Sequence, residues 1–364
     1  MNAYINTDSI STFEQLLTFR PELAENRENY EQIINEHPMR LTPYYASLID
    51  WDDENDPIRK MSVPSLGEMD TDGMYDTSGE SQNTKMSGLQ HKYRQTALLL
   101  VTNACAMYCR HCFRKRLVGL PSSEIMNQAN EAVEYIKQHK EINNVLVSGG
   151  DPLTLNTNLL GKILKELAAI AHLDFIRIGT RIPVVDPHRI TDDQALLDLL
   201  EDLTHTKKRI YIVTQFNHPR ELTDIARSAI QAILDRGIVM LNQAVLLKGV
   251  NDTPEVLAEL MSELSQIGVT PYYVFQCRPV SRVKNVFQHS LYDAYQIVEE
   301  AKKLMNGPTK RFRFAMSHET GKIEIVGMTE SEMFFKYHQA KDMENFGRFF
   351  SQPLDKDAGW LYNL

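Results

Sequence analysis

The chain has 364 residues, is 43% hydrophobic, and sets 39 Lys+Arg against 48 Asp+Glu for a formal net charge of −9. That balance leaves no cationic field to gather nucleic acid or anionic membrane, and the apolar content suits one large α/β domain better than a string of small modules. A small-molecule substrate, with no nucleic acid and no membrane as partner, is therefore expected.

The start, MNAYINTDSISTFEQ, lacks a cationic segment followed by an apolar run. Nowhere do about 18 uncharged apolar residues follow one another, so a cytoplasmic location is expected. Four cysteines occur, three of them between positions 105 and 112. That is a poor disulfide framework but a pattern suited to a metal or cluster in a reducing compartment.

Residues 1–90 read as an N-terminal helical extension, with Phe13, Leu16 and Leu17, then Tyr44, Tyr45, Leu48 and Ile49, at helical spacing. Within it, 66–88 (LGEMDTDGMYDTSGESQNTKMSG) carries too little apolar surface to offset its ordering entropy and is expected to be a flexible surface loop.

From 91 to 308, short β-branched runs alternate with amphipathic stretches, the pattern of parallel strands joined by crossover helices. Six strands are expected: 97–101, 145–148, 175–179, 210–214, 238–246 and 272–276. In the helix before the second, Ala129, Ala132, Val133 and Ile136 share one face while Glu131, Glu134 and Lys137 point outward. Six units fall short of a closed eight-fold barrel. The expected fold is an α/β partial (βα)6 TIM-like barrel with its site at the strands' C-terminal ends, a doubly wound sheet being the alternative. Residues 309–364 follow a further helix and read as a strand pair, RFRFAMSHETGKIEIVG, then a tail acting as a cap or a homo-oligomer contact.

The sequence TNACAMYCRHCFRKR sets Cys105, Cys109 and Cys112 in a CxxxCxxC loop after the first strand. Three thiolates on a four-iron cluster leave one iron open to chelate an amino and a carboxylate group. A zinc knuckle completed by His111 or Cys277 is the competing reading. At the end of the second strand, SGGDPL places two glycines where backbone approaches a ligand closely, with Asp151 able to accept from an ammonium group.

Together these motifs resemble the radical S-adenosylmethionine (SAM) superfamily. YCRHC, SGGDPL, RIGTRIPVV, FNHP, LNQAVLLKGVND and PYYVFQC, in that order, resemble the lysine 2,3-aminomutase family from LTPYYASLID to GKIEI. The resemblance implies a [4Fe-4S] cluster on the three cysteines, reductive cleavage of SAM, and an electron donor such as a flavodoxin or ferredoxin. It implies that Ser148, Gly149, Gly150 and Asp151 bind the methionine end of SAM, with Arg181 and Gln215 beside its adenosine or carboxylate.

Family aminomutases carry pyridoxal 5′-phosphate (PLP) on a lysine, and Lys322 falls where that lysine falls. Arg114 is similar to the family's arginine for the substrate α-carboxylate, Tyr93 to an aromatic near the cofactor, and Gln243 matches as well. Other positions depart from the pattern. Ser317, His318, Glu319 and Thr320 replace a glycine-rich turn, and Lys92 and Thr96 replace two phosphate-binding arginines. Arg278 and Ala315 stand where acids would hold the ammonium of lysine. A cation facing lysine would repel it, so another amino acid is expected, one with a carboxylate or phosphate at its far end if Arg278 faces the substrate. Cys277 reads as an apolar filler. Three functions stay open: an aminomutase-like isomerase with PLP, a PLP-independent radical SAM transformation, and a non-enzymatic Fe-S or zinc protein.

Overall fold

The computed structural model describes residues 8–126 and 129–362, and of Ala129 the backbone only, so the expected orientation of the Ala129 side chain lies outside the described residues. Twelve strands form one sheet in chain order: β1 Thr84–Met86, β2 Leu89–Tyr93, β3 Thr96–Thr102, β4 Asn144–Gly149, β5 Phe175–Gly179, β6 Arg209–Thr214, β7 Val239–Leu246, β8 Thr270–Gln276, β9 Arg313–His318, β10 Gly321–Met328, β11 Glu332–Ala340 and β12 Phe349–Pro353. All six expected strands are present, as β3 to β8.

The expected strand pair is β9 and β10, but β9 also extends the barrel. It pairs parallel to β8, with Tyr273 opposite Arg313 and Phe275 opposite Ala315. The helix Leu291–Lys303 separates the two strands, and a crossover helix returns the chain parallel to the strand it left. Seven strands, β3 to β9, are thus parallel. Antiparallel β1–β2 and β10–β12 continue the sheet on either side.

Period-two alternation sorts the two faces of the parallel strands. On β4, Val145 and Val147 are buried in the apolar core while Leu146 and Ser148 face a cavity; on β5, Ile176 and Ile178 oppose Arg177 and Gly179 in the same way. Side chains from β2 through β11 reach that single cavity, so the sheet curls around it as a TIM-like partial barrel rather than a doubly wound sheet. Helices close the outer face. Thr157–Ala168, capped by Asn156 on Leu159 N (2.9 Å), buries Leu160, Ile163, Leu164 and Leu167, and Ala129–Gln138 buries Ala132, Val133 and Ile136. No helix among the described residues is long and apolar enough to cross a membrane.

The segment 66–88, expected to be a flexible surface loop, is instead a tethered strap. Ion pairs rather than apolar burial offset its ordering entropy. Glu68 is fully buried and pairs with Arg110 (2.6 Å) and Lys115 (2.7 Å); Glu80 pairs with Arg114 (2.9 Å) and Arg116 (2.8 Å). Between them, Met74 N donates to Pro279 O at 2.9 Å, and Gly73 adopts φ +119 where a Cβ would press on the backbone of Pro279 to Ser281.

Burial pushes the Glu68 carboxyl up, but Arg110 and Lys115 outweigh it and bring the group down to about 2. A carboxyl lowered in the folded state adds stability above its unfolded value of about 4.3 and loses it as pH falls toward 2. Glu68→Gln, which leaves two buried cations uncompensated, is expected to cost about 3–5 kcal/mol in urea unfolding near neutral pH. It should also lose less stability than wild type between pH of about 4 and about 2.

Candidate active site

The cysteine loop is sewn to the N-terminal extension before it reaches the barrel. Tyr108 N donates to Arg40 O (2.9 Å) and Arg110 N to Met61 O (2.8 Å), while Arg110 also pairs with Glu68. Cys105, Cys109 and Cys112 are free thiols at the edge of the cavity. Burial and the neighbouring acidic groups push the Cys105 thiol up, and burial with Cys109 pushes Cys112 up to about 11, so the loop favours an electropositive occupant.

A zinc knuckle would need a fourth protein ligand beside the three cysteines. His111 is buried with Nε2 against Asn217 (3.3 Å), and Cys277 points its thiol at the Arg278 carbonyl (3.8 Å). Neither completes a knuckle, and the donor set fits a polynuclear cluster, whose thiolates attach to separate irons.

The SGGD turn locks onto this loop. Gly150 N donates to Thr102 O (2.5 Å) and Asp151 N to Ala104 O (2.8 Å); a Cβ on Gly149 would run into Thr102 O, and one on Gly150 into Ala104 O. Both glycines are thus required by close approach. Asp151, read as an acceptor for an ammonium, directs its oxygens to protein donors: Leu153 N (3.0 Å), Thr180 Oγ1 (2.7 Å) and Arg181 N (2.7 Å). It ties the end of β4 to the end of β5.

Arg181 lies between the cysteine loop and a buried acid. It donates to Cys109 Sγ (2.6 Å), Gln215 O (3.0 Å) and Glu221 Oε1 (2.7 Å). Glu221 is fully buried and also accepts from Tyr45 OH (2.6 Å), Asn217 N (2.6 Å) and His218 N (3.0 Å). The sequence reading missed it, although Glu three residues after His218 in HPRE is a capping-box signal and forms that box.

Deeper in the cavity the charge is mostly positive. Arg114 is held by Glu80 (2.9 Å), Ser148 Oγ (3.1 Å) and Gly149 O (3.3 Å). Lys92 donates to His318 O (2.6 Å) and Ser78 O (3.3 Å), and burial with Arg278 beside it lowers the amine to about 7. Arg278 lies 4.2 Å over the Phe113 ring with its buried Nη1 lacking a hydrogen-bond partner among the described residues, and burial lowers the group to about 10. Lys322 has no hydrogen-bond partner among the described residues; its Nζ lies 4.5 Å over the Tyr273 ring. Burial, then Arg177, Arg278 and Lys92, lower that amine to about 7. Arg177, unanticipated from sequence, leaves its buried Nε unpaired and reaches Asn144 Oδ1 at 2.6 Å. Tyr93, Gln215 and Gln243 line the same cavity of about 360 Å³. One cavity is thus lined by the three cysteines, Ser148 to Asp151, Arg181, Gln215, Lys92, Tyr93, Arg114, Gln243, Arg278 and Lys322, together with Glu80 and Arg177, while Ala315 and His318 to Thr320 lie outside its lining and Glu221 stands behind Arg181.

Residues 99–261 match the family model described as the Radical SAM superfamily, so the barrel and its cysteine loop belong to a radical SAM enzyme, a class that uses a [4Fe-4S] cluster and SAM. The chain is 47% identical to a protein of Aquifex aeolicus named "Putative L-lysine 2,3-aminomutase", over 93% of this chain and 90% of that one. It is 39% identical to the L-lysine 2,3-aminomutase of Clostridium subterminale, over 74% of this chain and 64% of that one. It is 35% identical to the glutamate 2,3-aminomutase of Clostridioides difficile, over 82% and 69%. The chain belongs to the lysine 2,3-aminomutase family, and the non-enzymatic reading is set aside.

If the three thiols hold the cluster and Cys277 only fills space, anaerobic reconstitution separates them. Ser at 105, 109 or 112 is expected to leave less than half the wild-type iron after gel filtration, and Cys277→Ser to leave iron unchanged. Gly150→Ala should also lose iron, because its methyl displaces the Ala104 carbonyl that shapes the loop.

Proposed function

We propose that the protein is a 2,3-aminomutase acting on an amino acid with an anionic side chain, with the cluster and SAM at the cysteine loop and PLP on Lys322. The observation that carries this reading is Arg278, a half-buried cation at the cavity wall whose buried Nη1 has no hydrogen-bond partner among the described residues. The acid nearest it in effect, Glu80, is already shared between Arg114 and Arg116. A lysine side chain placed there would meet like charge in a poorly solvated pocket, whereas a carboxylate would give the orphaned N–H an acceptor. The glutamate 2,3-aminomutase among the relatives supports the same choice.

When bound, SAM at an open iron supplies the carbon radical that abstracts hydrogen, and PLP supplies a conjugated ring that delocalises an unpaired electron. The protein's residues prepare those events. Lys322 presents an amine that burial keeps substantially neutral near pH 7, the form needed to attack an aldehyde. Tyr273 and Phe275 pack beneath it and keep water away, with Tyr93 alongside the cavity. Ser148, Gly149 and Gly150 offer a close backbone edge beside the cysteines for the methionine end of SAM. Arg181 holds Cys109 and the Gln215 loop in place, and Arg114 fixes Ser148. An external one-electron donor of the flavodoxin or ferredoxin class and a reducing, cytoplasmic compartment accord with three half-buried free thiols.

A second reading drops PLP, and one observation favours it. Lys92, one of the two positions where the family has phosphate-binding arginines, donates instead to the carbonyl of His318 in the substituted turn. The two readings separate at Lys322 Nζ. Holding the reconstituted protein with PLP, reducing with borohydride and mapping peptides by mass spectrometry is expected to show a pyridoxyl adduct on Lys322. Its yield should rise as pH climbs through about 7, because only the unprotonated amine reacts. No adduct, with SAM still cleaved, selects the second reading. In an active preparation, Arg278→Gln is expected to lower kcat/KM for an acidic substrate by about 10- to 100-fold, the scale of losing a charged hydrogen-bond partner.

A further inference from the structure

A second cluster of ligating side chains lies on the opposite face of the barrel wall. On β2, Gln90 and Lys92 face the cavity, so His91 points outward, toward the C-terminal end of the helix Ala129–Gln138 and the turn after it. There it meets His139, whose ring centroid is 5.7 Å away and is itself stacked on Tyr135 at 4.0 Å. One nitrogen of each imidazole and one oxygen of Glu141 lie within 4.8 Å of one another.

The hydrogen bonds of His91 prepare it as a ligand. Its Nε2 lies 3.1 Å from Arg94 O, and a carbonyl only accepts, so Nε2 carries the hydrogen and Nδ1 is the accepting nitrogen, its lone pair taken by the Tyr135 hydroxyl until a metal ion displaces it. An imidazole oriented by a backbone carbonyl through its second nitrogen is the usual outer support of a metal-bound histidine. Tyr135 OH sits 3.1 Å from that Nδ1, and Glu141 Oε1 is 2.8 Å from His139 Nδ1. His139 and Glu141 are each about one-third exposed, which lets their side chains adjust. Metal–ligand bonds of about 2.0–2.2 Å set tetrahedral ligand atoms about 3.4 Å apart, so closure asks each to move by only about 1 Å.

We propose that His91, His139 and Glu141 bind one divalent transition-metal ion of the zinc class on the outer face of β2. Two imidazoles and one carboxylate suit Zn²⁺, Co²⁺ or Ni²⁺ and disfavour Ca²⁺ or Mg²⁺, which require oxygen ligands. The ion would fasten β2 to the neighbouring helix. Because Lys92 and Tyr93 follow His91 on that strand, it would also steady one wall of the cavity. The site is independent of the cluster, whose cysteines line the cavity on the other side.

The test uses the cluster-reconstituted protein, so that the three cysteines are occupied. It is dialysed against buffered zinc, and bound zinc is measured by elemental analysis alongside the thermal unfolding midpoint. Wild type is expected to bind one zinc per chain beyond its iron and to unfold at higher temperature with zinc than without. His139→Ala and Glu141→Gln, at part-exposed positions, should bind zinc at least tenfold more weakly while keeping wild-type iron content, which reports an intact fold. Absence of the extra zinc in wild type, wild-type zinc affinity in either variant, or retained zinc on His91→Ala with full iron content would overturn the assignment.

Discussion

Glu80 stands where the polar strap meets the barrel, with its carboxylate shared between Arg114 and Arg116. Arg114 in turn holds Ser148 and Gly149 at the end of β4, so the geometry of the SGGD turn depends on a residue from a segment with almost no apolar anchor. The cavity beyond also contains Lys92, Arg177, Arg278 and Lys322. Two unit charges at about 4 Å cost about 4 kcal/mol at an effective dielectric of about 20, so several cations around one space need counter-charge before a ligand arrives. Glu80 provides part of it. Removing solvent from the rest lowers Lys92 and Lys322 to about 7, which relieves repulsion by deprotonation and leaves amines able to act as nucleophiles.

The same logic operates on the far side of the cysteine loop. Glu68 neutralises Arg110 and Lys115 beneath the thiols, and Glu221 holds Arg181 against Cys109. Three acids, Glu68 and Glu80 from the strap and Glu221 from the loop after β6, fix the cations that surround the three cysteines. The N-terminal extension takes part directly, since Tyr45 donates to Glu221 and Arg40 receives the backbone of the loop. It is therefore part of the site's scaffold as well as a packing element.

The barrel strands were legible because local composition determines them: β-branched runs of four to nine residues separated by amphipathic helices leave little freedom of assignment. The cysteine loop and the glycine turn were legible for the same reason, each being a contiguous motif. The parallel pairing of β9 was not, because strand direction is set by the crossover before it rather than by its own residues. The order of the strap was hidden as well. Glu80 and Arg114 are 34 residues apart, and Arg181 and Glu221 are 40 apart, and no periodicity links an acid on one loop to an arginine on another. Composition made 66–88 look disordered because it counts apolar surface and is blind to buried ion pairs.

The substituted turn between β9 and β10 shows how such departures are accommodated. His318 accepts Lys92 on its carbonyl, pairs its Nδ1 with Thr320 (2.8 Å), and places its Nε2 3.2 Å from Leu361 O in the C-terminal tail. Gln276 at the end of β8 donates to Gly359 O in the same tail (3.0 Å), and Trp360 is buried beside His318. A glycine-rich turn would leave backbone N–H groups open to an anion. This one engages its polar groups with the tail and Lys92, and the cavity's remaining unpartnered donors among the described residues include Arg278 Nη1 and Arg177 Nε. A planar guanidinium matches carboxylate or phosphate with a fixed fork of donors and repels an ammonium, which is the physical ground for proposing a substrate unlike lysine.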